Sequence, residues 1–196
     1  MKRITRDQML PYQQWEAVRP VLRPLFINEK ERRRLAVGDN ITLLFENAQS
    51  VWYQVEEMLR VERISDPELV QHEIDTYNEL VPGAGELSAT MLIEYSQAEE
   101  RDAALRRLVG LERHLWLKIG DRRVEAQFDT DQIGEDAVSA VQFVRFAVGG
   151  RAAERLVELA AGGAVTVEVD HPQLGVSAAV SVELARALAG DLREPS

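Results

Sequence analysis

"HLWLKIGDRRVEAQFD", residues 114–129, reads as two strands folded back at Gly120-Asp121. A Gly-Asp pair between two strand-like runs is a short-range hairpin signal, because the turn needs a backbone conformation that glycine adopts without strain. An antiparallel hairpin here makes a sheet the organising element of the C-terminal half. It turns the question for the rest of the chain into which segments add strands and which add helices.

Working outward, "SATMLIEY" precedes the hairpin as a strand, separated from it by a helix over about 97–109. "SAVQFVRFAV" follows as a further strand, and "RAAERLVELAAGG" as a helix with glycines at its C-terminal end. "AVTVEVDHPQLGVSAAV" forms a second hairpin around His171-Pro172, and "VELARALAGDL" a closing helix. Toward the N-terminus, "ITLLFE" alternates Ile41, Leu43 and Phe45 against Thr42, Leu44 and Glu46, the period of a strand. "SVWYQVEEMLRVER" reads as a helix capped by Asn47 or Ser50, and Asp66-Pro67 opens another, with "VPGAG" ending it. Pro20 and Pro24 divide the first helical stretch into two short helices, the second over about 24–35, and "VGDN" is a turn. The pattern predicts an α+β fold: a helical N-terminal half packed with a mainly antiparallel sheet, about seven strands and six helices. It is read as one domain over 1–196, with a seam near 82–87 between the helix-rich and sheet-rich halves.

The 196 residues carry 45% hydrophobic and 29% charged residues, an ordinary globular balance. No apolar run approaches the ~20 residues that cross a bilayer, and "MKRITRDQML" lacks the apolar stretch of a signal peptide. There is no cysteine, which removes disulfides, thiolate nucleophiles and thiolate metal sites, and fits a cytoplasmic location. Net charge is −10, unevenly spread: residues 1–38 sum to +5 and residues 45–100 to −11. So acidic a body repels a phosphate backbone, so neither nucleic acid nor membrane is an expected partner.

On a helical wheel, Val70, Ile74, Tyr77 and Val81 form one stripe of the 67–80 helix, and Glu73 falls inside it. In the preceding helix Glu62 falls within the arc of Val51 and Val55. A buried carboxylate needs a cation, strong donors, a raised pKa or a metal. Arg32, Arg33, Arg34, Arg145, His72 and His114 are the candidate partners. The candidate ligand-binding set is therefore Glu62, Glu73, His72, Tyr77, Arg33 and Arg145, with a structural ion pair as the competing reading. "HEIDT" has Thr76 where a zincin helix has its second histidine, and Glu68 and His72 are one residue too far apart for the E-x-x-H of carboxylate-bridged iron sites. No metal and no cofactor are expected. His171, in an Asp-His-Pro turn, is the loop-placed histidine, and His114 ends the strand that follows it.

The stretches "RRRLAVGDNITLLFEN", "VWYQVEEMLRVERI", "HEIDTYNELVPG", "GELSATMLIE" and "VDHPQL" together resemble an uncharacterised bacterial family, domain of unknown function 3501. The resemblance supplies no catalytic residues. It implies a gene neighbourhood of rubrerythrin-like and iron–sulfur proteins, and through that a role in peroxide defence or electron transfer. The leading expectation is a non-catalytic accessory protein that binds a redox metalloprotein through its acidic helical half or basic N-terminal helices. The alternative is an enzyme or small anionic-ligand-binding protein with a carboxylate/arginine pocket. A homodimer joined along the C-terminal sheet is a third reading.

Overall fold

The 114–129 hairpin proves to be the joint of the whole sheet. In the computed structural model, which describes residues 3–129, 134, 136–149 and 151–193, the elements run as follows. Helix α1 (Tyr12–Arg32) leads to β1 (Arg34–Val37), β2 (Ile41–Glu46), α2 (Ala48–Glu62), α3 (Pro67–Asn78) and β3 (Glu86–Ile93). Then come α4 (Ala98–Arg107), β4 (Leu115–Ile119), β5 (Arg122–Phe128), β6 (Val141–Ala147), α5 (Ala152–Ala161), β7 (Val165–His171), β8 (Leu174–Ala179) and α6 (Val182–Arg193). The strands form one sheet in the order β1-β2-β3-β6-β5-β4-β7-β8, every pairing antiparallel. Within the hairpin, β5 pairs with β6 and β4 with β7, so the two halves of the sheet meet there. The fold is α+β, with eight strands where the sequence pattern indicated about seven.

The additional strand is β1. The sequence pattern runs a helix to about 35 and starts a turn at Val37, but the chain leaves α1 at Arg32 and pairs Arg34–Val37 against Ile41–Leu44. The turn between them contains Gly38 at φ +68°, where a Cβ would lie 2.9 Å from Val176 Cγ1 of β8. Glycine is thus required both by the backbone and by the approach of the two outermost strands, which curl the sheet almost into a barrel. Helix α1 is also one helix, not two, with Pro20 and Pro24 inside it. Both prolines are exposed, on the side away from buried Trp15, so the carbonyls that lose a helical donor face water.

The sheet's concave face is filled by Leu43, Phe45, Leu87, Met91, Leu117 and Val167, which pack with Leu156 of α5 and Leu184 and Leu188 of α6. A second core lies on the other face. Val51, Val55 and Leu59 of α2 meet Ile74 of α3, with Ile4, Leu80 and Val81, and Phe143 of β6 packs against them. Both helix starts follow the expected cap chemistry. Ser50 N–H donates to Asn47 Oδ1 (2.8 Å) and Asn47 N–H to Ser50 Oγ (3.0 Å), while Asp66 Oδ1 accepts from Glu68 and Leu69 N–H. Among the described residues no helix is long and apolar enough to cross a membrane.

Candidate functional site

Helix α2 is covered on two sides. Toward α3 it presents Val51 and Val55; toward α1 it presents Tyr53, which stacks on Phe26 at 4.4 Å and meets Trp15 edge-on at 5.6 Å. A wheel drawn with one buried face therefore misplaces the inward carboxylate. Glu62 is exposed in the last turn of α2, beyond the packed section. The buried glutamate is Glu56, at 1% exposure.

Residues 3–11 run as a strap across α2 and α3 before α1 begins. Ile4 and Asn78 exchange two hydrogen bonds of 2.8 and 2.9 Å. Trp52 Nε1–H donates to Gln8 O at 3.1 Å, and Leu10 N–H donates to Glu56 Oε1 at 2.7 Å. Between the strap, the start of α1, α2 and the start of α3 lies a cleft of about 370 Å³. Its walls are largely apolar, from Met9, Leu10, Trp15, Leu59, Ile64 and Val70, and Glu56 lies among them. Arg60, one turn beyond Glu56 on α2, and Arg6 of the strap complete it.

Glu56 and its neighbour Glu57 have opposite electrostatics. Burial pushes the Glu56 carboxyl up to about 7, with the Leu10 amide opposing and the Glu57 charge adding to the rise. Glu57 is held low, chiefly by hydrogen bonds from Arg19 Nε (2.6 Å) and Nη2 (2.8 Å), with Trp15 Nε1–H also donating at 3.1 Å. Burial thus raises one carboxyl while hydrogen bonds lower the adjacent one. Such a separation marks groups suited to exchange a proton with a ligand. Arg60 leans on Glu57 (3.3 Å) and Glu16 (3.7 Å). Among the described residues Arg6 has no ion-pair partner.

The residues expected from the sequence do not assemble into one pocket. Glu73 is half-buried and His72 exposed, and among the described residues no cation pairs with Glu62 or Glu73. Water reaches both glutamates, which removes the need for a partner. Both lie close enough to Tyr77 to raise its pKa, although burial is the main cause and a hydrogen bond with Gln54 opposes the rise. Tyr77 and Arg145 do come together. They line a polar cleft of about 660 Å³ with Glu79, Gln127 and Phe143. Arg145 is occupied there, donating to Glu79 O and lying 3.7 Å from Glu86. Arg33 is elsewhere, buried at the end of α1 between Glu29 and Asp191.

His171 and His114 are engaged in structure. His171 accepts Gln173 N–H on Nδ1 (3.2 Å) and its Nε2 meets Val109 O (3.1 Å). His114 donates from Nδ1 to Asp170 Oδ1 (2.9 Å) instead of merely ending a strand. Asp170 also accepts from Trp116 Nε1 and Arg123 Nη2, and Arg123 lies 4.0 Å above the Trp116 ring. Arg123's hydrogen bond is the main reason that Asp170 is held at about 2, with His114 and Trp116 contributing. Among the described residues no group of three or more histidine, aspartate or glutamate side chains is placed to hold a metal ion.

The architecture is similar to that of the protein in a crystal structure from Burkholderia pseudomallei K96243, described as a novel protein of unknown function, at 36% sequence identity and a TM-score of 0.87. The match covers 97% of this chain and 100% of that one. No curated protein matches. The sequence matches a family described as "Protein of unknown function (DUF3501)" over residues 3–192, and with nearly its whole length accounted for the chain belongs to that family.

Proposed function

We propose that the protein binds a small, mainly apolar ligand in the cleft between the N-terminal strap and helices α2 and α3. The observation that carries this reading is Glu56, a buried carboxyl in a cleft whose other walls are mostly hydrocarbon. Small-molecule sites combine a concave apolar surface with a few polar groups that fix orientation, and the volume lies at the lower end of their usual range. The site is of the carboxylate/arginine kind, with Glu56 in the place expected of Glu62 or Glu73.

The test is titration with the neutral apolar fluorophore N-phenyl-1-naphthylamine. Saturable binding is expected in the wild type and in Leu25→Ser on α1, and loss in Ile64→Trp, which fills the cleft. Absence of saturable binding, or binding unchanged in Ile64→Trp, would overturn the reading.

A second reading, the accessory one, is favoured by the outer face of α1. Val18, Val21 and Leu25 follow one another along this helix and are exposed, at 37%, 70% and 62%. The family resemblance implies a rubrerythrin-like or iron–sulfur protein as the partner. Co-purification of such a protein with the wild type, lost in Val21→Asp/Leu25→Asp, is the expected outcome; equal recovery with both would remove α1 from consideration.

A further inference from the structure

Resting on the reading of this cleft as a ligand site, we infer that its occupant is a monocarboxylic acid with an apolar tail or ring. Its carboxylate would be held by Arg6 and Arg60 and hydrogen-bonded by the Glu56 carboxyl. Three features of the site support this choice.

The first is charge. Arg6 and Arg60 both line the cleft, and Glu57, next to Glu56 in sequence, is already bonded by Arg19, Trp15 and Arg60. Glu56 is neutral whenever it carries its proton. The cleft then offers the Arg6 guanidinium, one O–H, and the Arg60 guanidinium, which it shares with Glu57 and Glu16. A cationic head group would meet the charge of Arg6, which no carboxylate among the described residues offsets, whereas an anion finds a guanidinium to pair with.

The second is the order of groups along α2. Glu56 and Arg60 are four residues apart and so on the same face one turn apart, while Arg6 comes from the strap on the opposite wall. A planar carboxylate matches a guanidinium fork and can also take the proton of a neighbouring carboxyl in a short hydrogen bond. A phosphate monoester, with nearly two negative charges, would need more compensation than the site supplies beside Glu56.

The third is the apolar lining. Met9, Leu59, Ile64 and Val70 offer hydrocarbon contact in a volume of about 370 Å³, enough for a short aliphatic or single-ring body. Burying the methylenes of a tail is favourable in proportion to their area, so the tail supplies affinity and the head supplies orientation.

The proton on Glu56 couples binding to pH. The charged and titratable groups that line the cleft with it are Arg6 of the strap, Tyr12 of α1 and Arg60 of α2, and the charge that acts on it is that of Glu57, next in sequence. Arginine and tyrosine do not change charge near neutrality, so Glu56 is the group whose protonation changes there. The anion binds with Glu56 protonated, and its affinity falls as pH rises beyond the point at which Glu56 ionises.

Isothermal titration with octanoate, octylamine and 1-octanol, on the full chain, tests this. Octanoate is expected to bind more tightly than octanol, and octylamine least. Arg6→Gln, at an exposed position, should weaken octanoate about tenfold and leave octanol unchanged. Arg60→Gln serves as a second variant. Between pH 6 and pH 8.5 the wild type should lose octanoate affinity, and Glu56→Gln should flatten that dependence. Octanol binding as tightly as octanoate, or octylamine binding tightest, overturns the inference and leaves the cleft a ligand site. Failure of all three ligands, together with failure of the fluorophore, removes the ligand-site reading itself.

Discussion

The Arg33 guanidinium grips the Asp191 carboxylate through two hydrogen bonds, of 2.7 and 3.0 Å, and so pins the end of α1 to α6 across almost the full length of the sequence. Both side chains are buried, and Glu29 adds a third bond at 2.7 Å. Removing Asp191 takes away two of the three carboxylate bonds that compensate the buried guanidinium. Asp191→Ala is expected to cost about 3–5 kcal/mol, whereas the double replacement Arg33→Met/Asp191→Leu should cost much less. Urea denaturation of the two variants measures the difference; equal losses would mean that the pair is not electrostatically isolated from solvent.

Glu56 predicts a stability that falls with rising pH. Its folded pKa of about 7 lies above the ordinary carboxylate value, so the folded state holds the proton more tightly than the unfolded chain. That contribution is complete below the unfolded pKa and is lost as pH rises through about 7. Glu56→Gln, which stays neutral, should therefore stabilise the protein at pH 8 by about 1–3 kcal/mol and have little effect at pH 4. Thermal denaturation at both pH values checks it. A variant less stable than wild type at pH 8 would show that the Leu10 contact outweighs the burial of charge.

Asp170 behaves in the opposite sense. Its depressed pKa gives a contribution that is present above the unfolded value and lost as pH falls toward about 2. The cluster is exposed, so Arg123→Ala should cost less than about 1 kcal/mol. The clearer readout is NMR titration of Asp170 itself, whose midpoint should move upward in Arg123→Ala. An unmoved midpoint would shift the main role to His114 and Trp116.

Gly38→Ala is expected to destabilise by about 1–3 kcal/mol, because it combines a positive φ with a Cβ 2.9 Å from Val176. Trimming the obstacle in Gly38→Ala/Val176→Ala should recover the steric part alone. Chemical denaturation of the pair separates backbone strain from collision.

Alternation and turn chemistry made most of the sheet readable. Gly120-Asp121 marked the central hairpin, and the Ile41, Leu43 and Phe45 triplet marked the buried face of β2. Caps were equally direct, since Asn47 and Asp66 satisfy helix N–H groups through local bonds. What stayed hidden depended on distant neighbours. Pro20 and Pro24 looked like breaks because their exposure, which lets water take over the freed carbonyls, is set by which side of α1 meets α2. Glu56 is hidden for a related reason: the wheel reading of this helix follows one apolar arc, with Val51 and Val55, whereas the strap and α1 cover the side on which Glu56 lies. Its signal, a glutamate beside a second glutamate with Tyr53 three residues before it, acquires meaning only once α1 is laid across α2.

The near-meeting of β1 and β8 has a consequence for self-assembly. An open sheet ends in two rows of unsatisfied amides and carbonyls, which invite strand addition and templated fibre growth. Here Gly38 brings the turn beside β1 against Val176 of β8, so each rim of the sheet screens the other from an incoming strand. The curl that shapes the concave core therefore also narrows the way in for amyloid-like stacking on either rim.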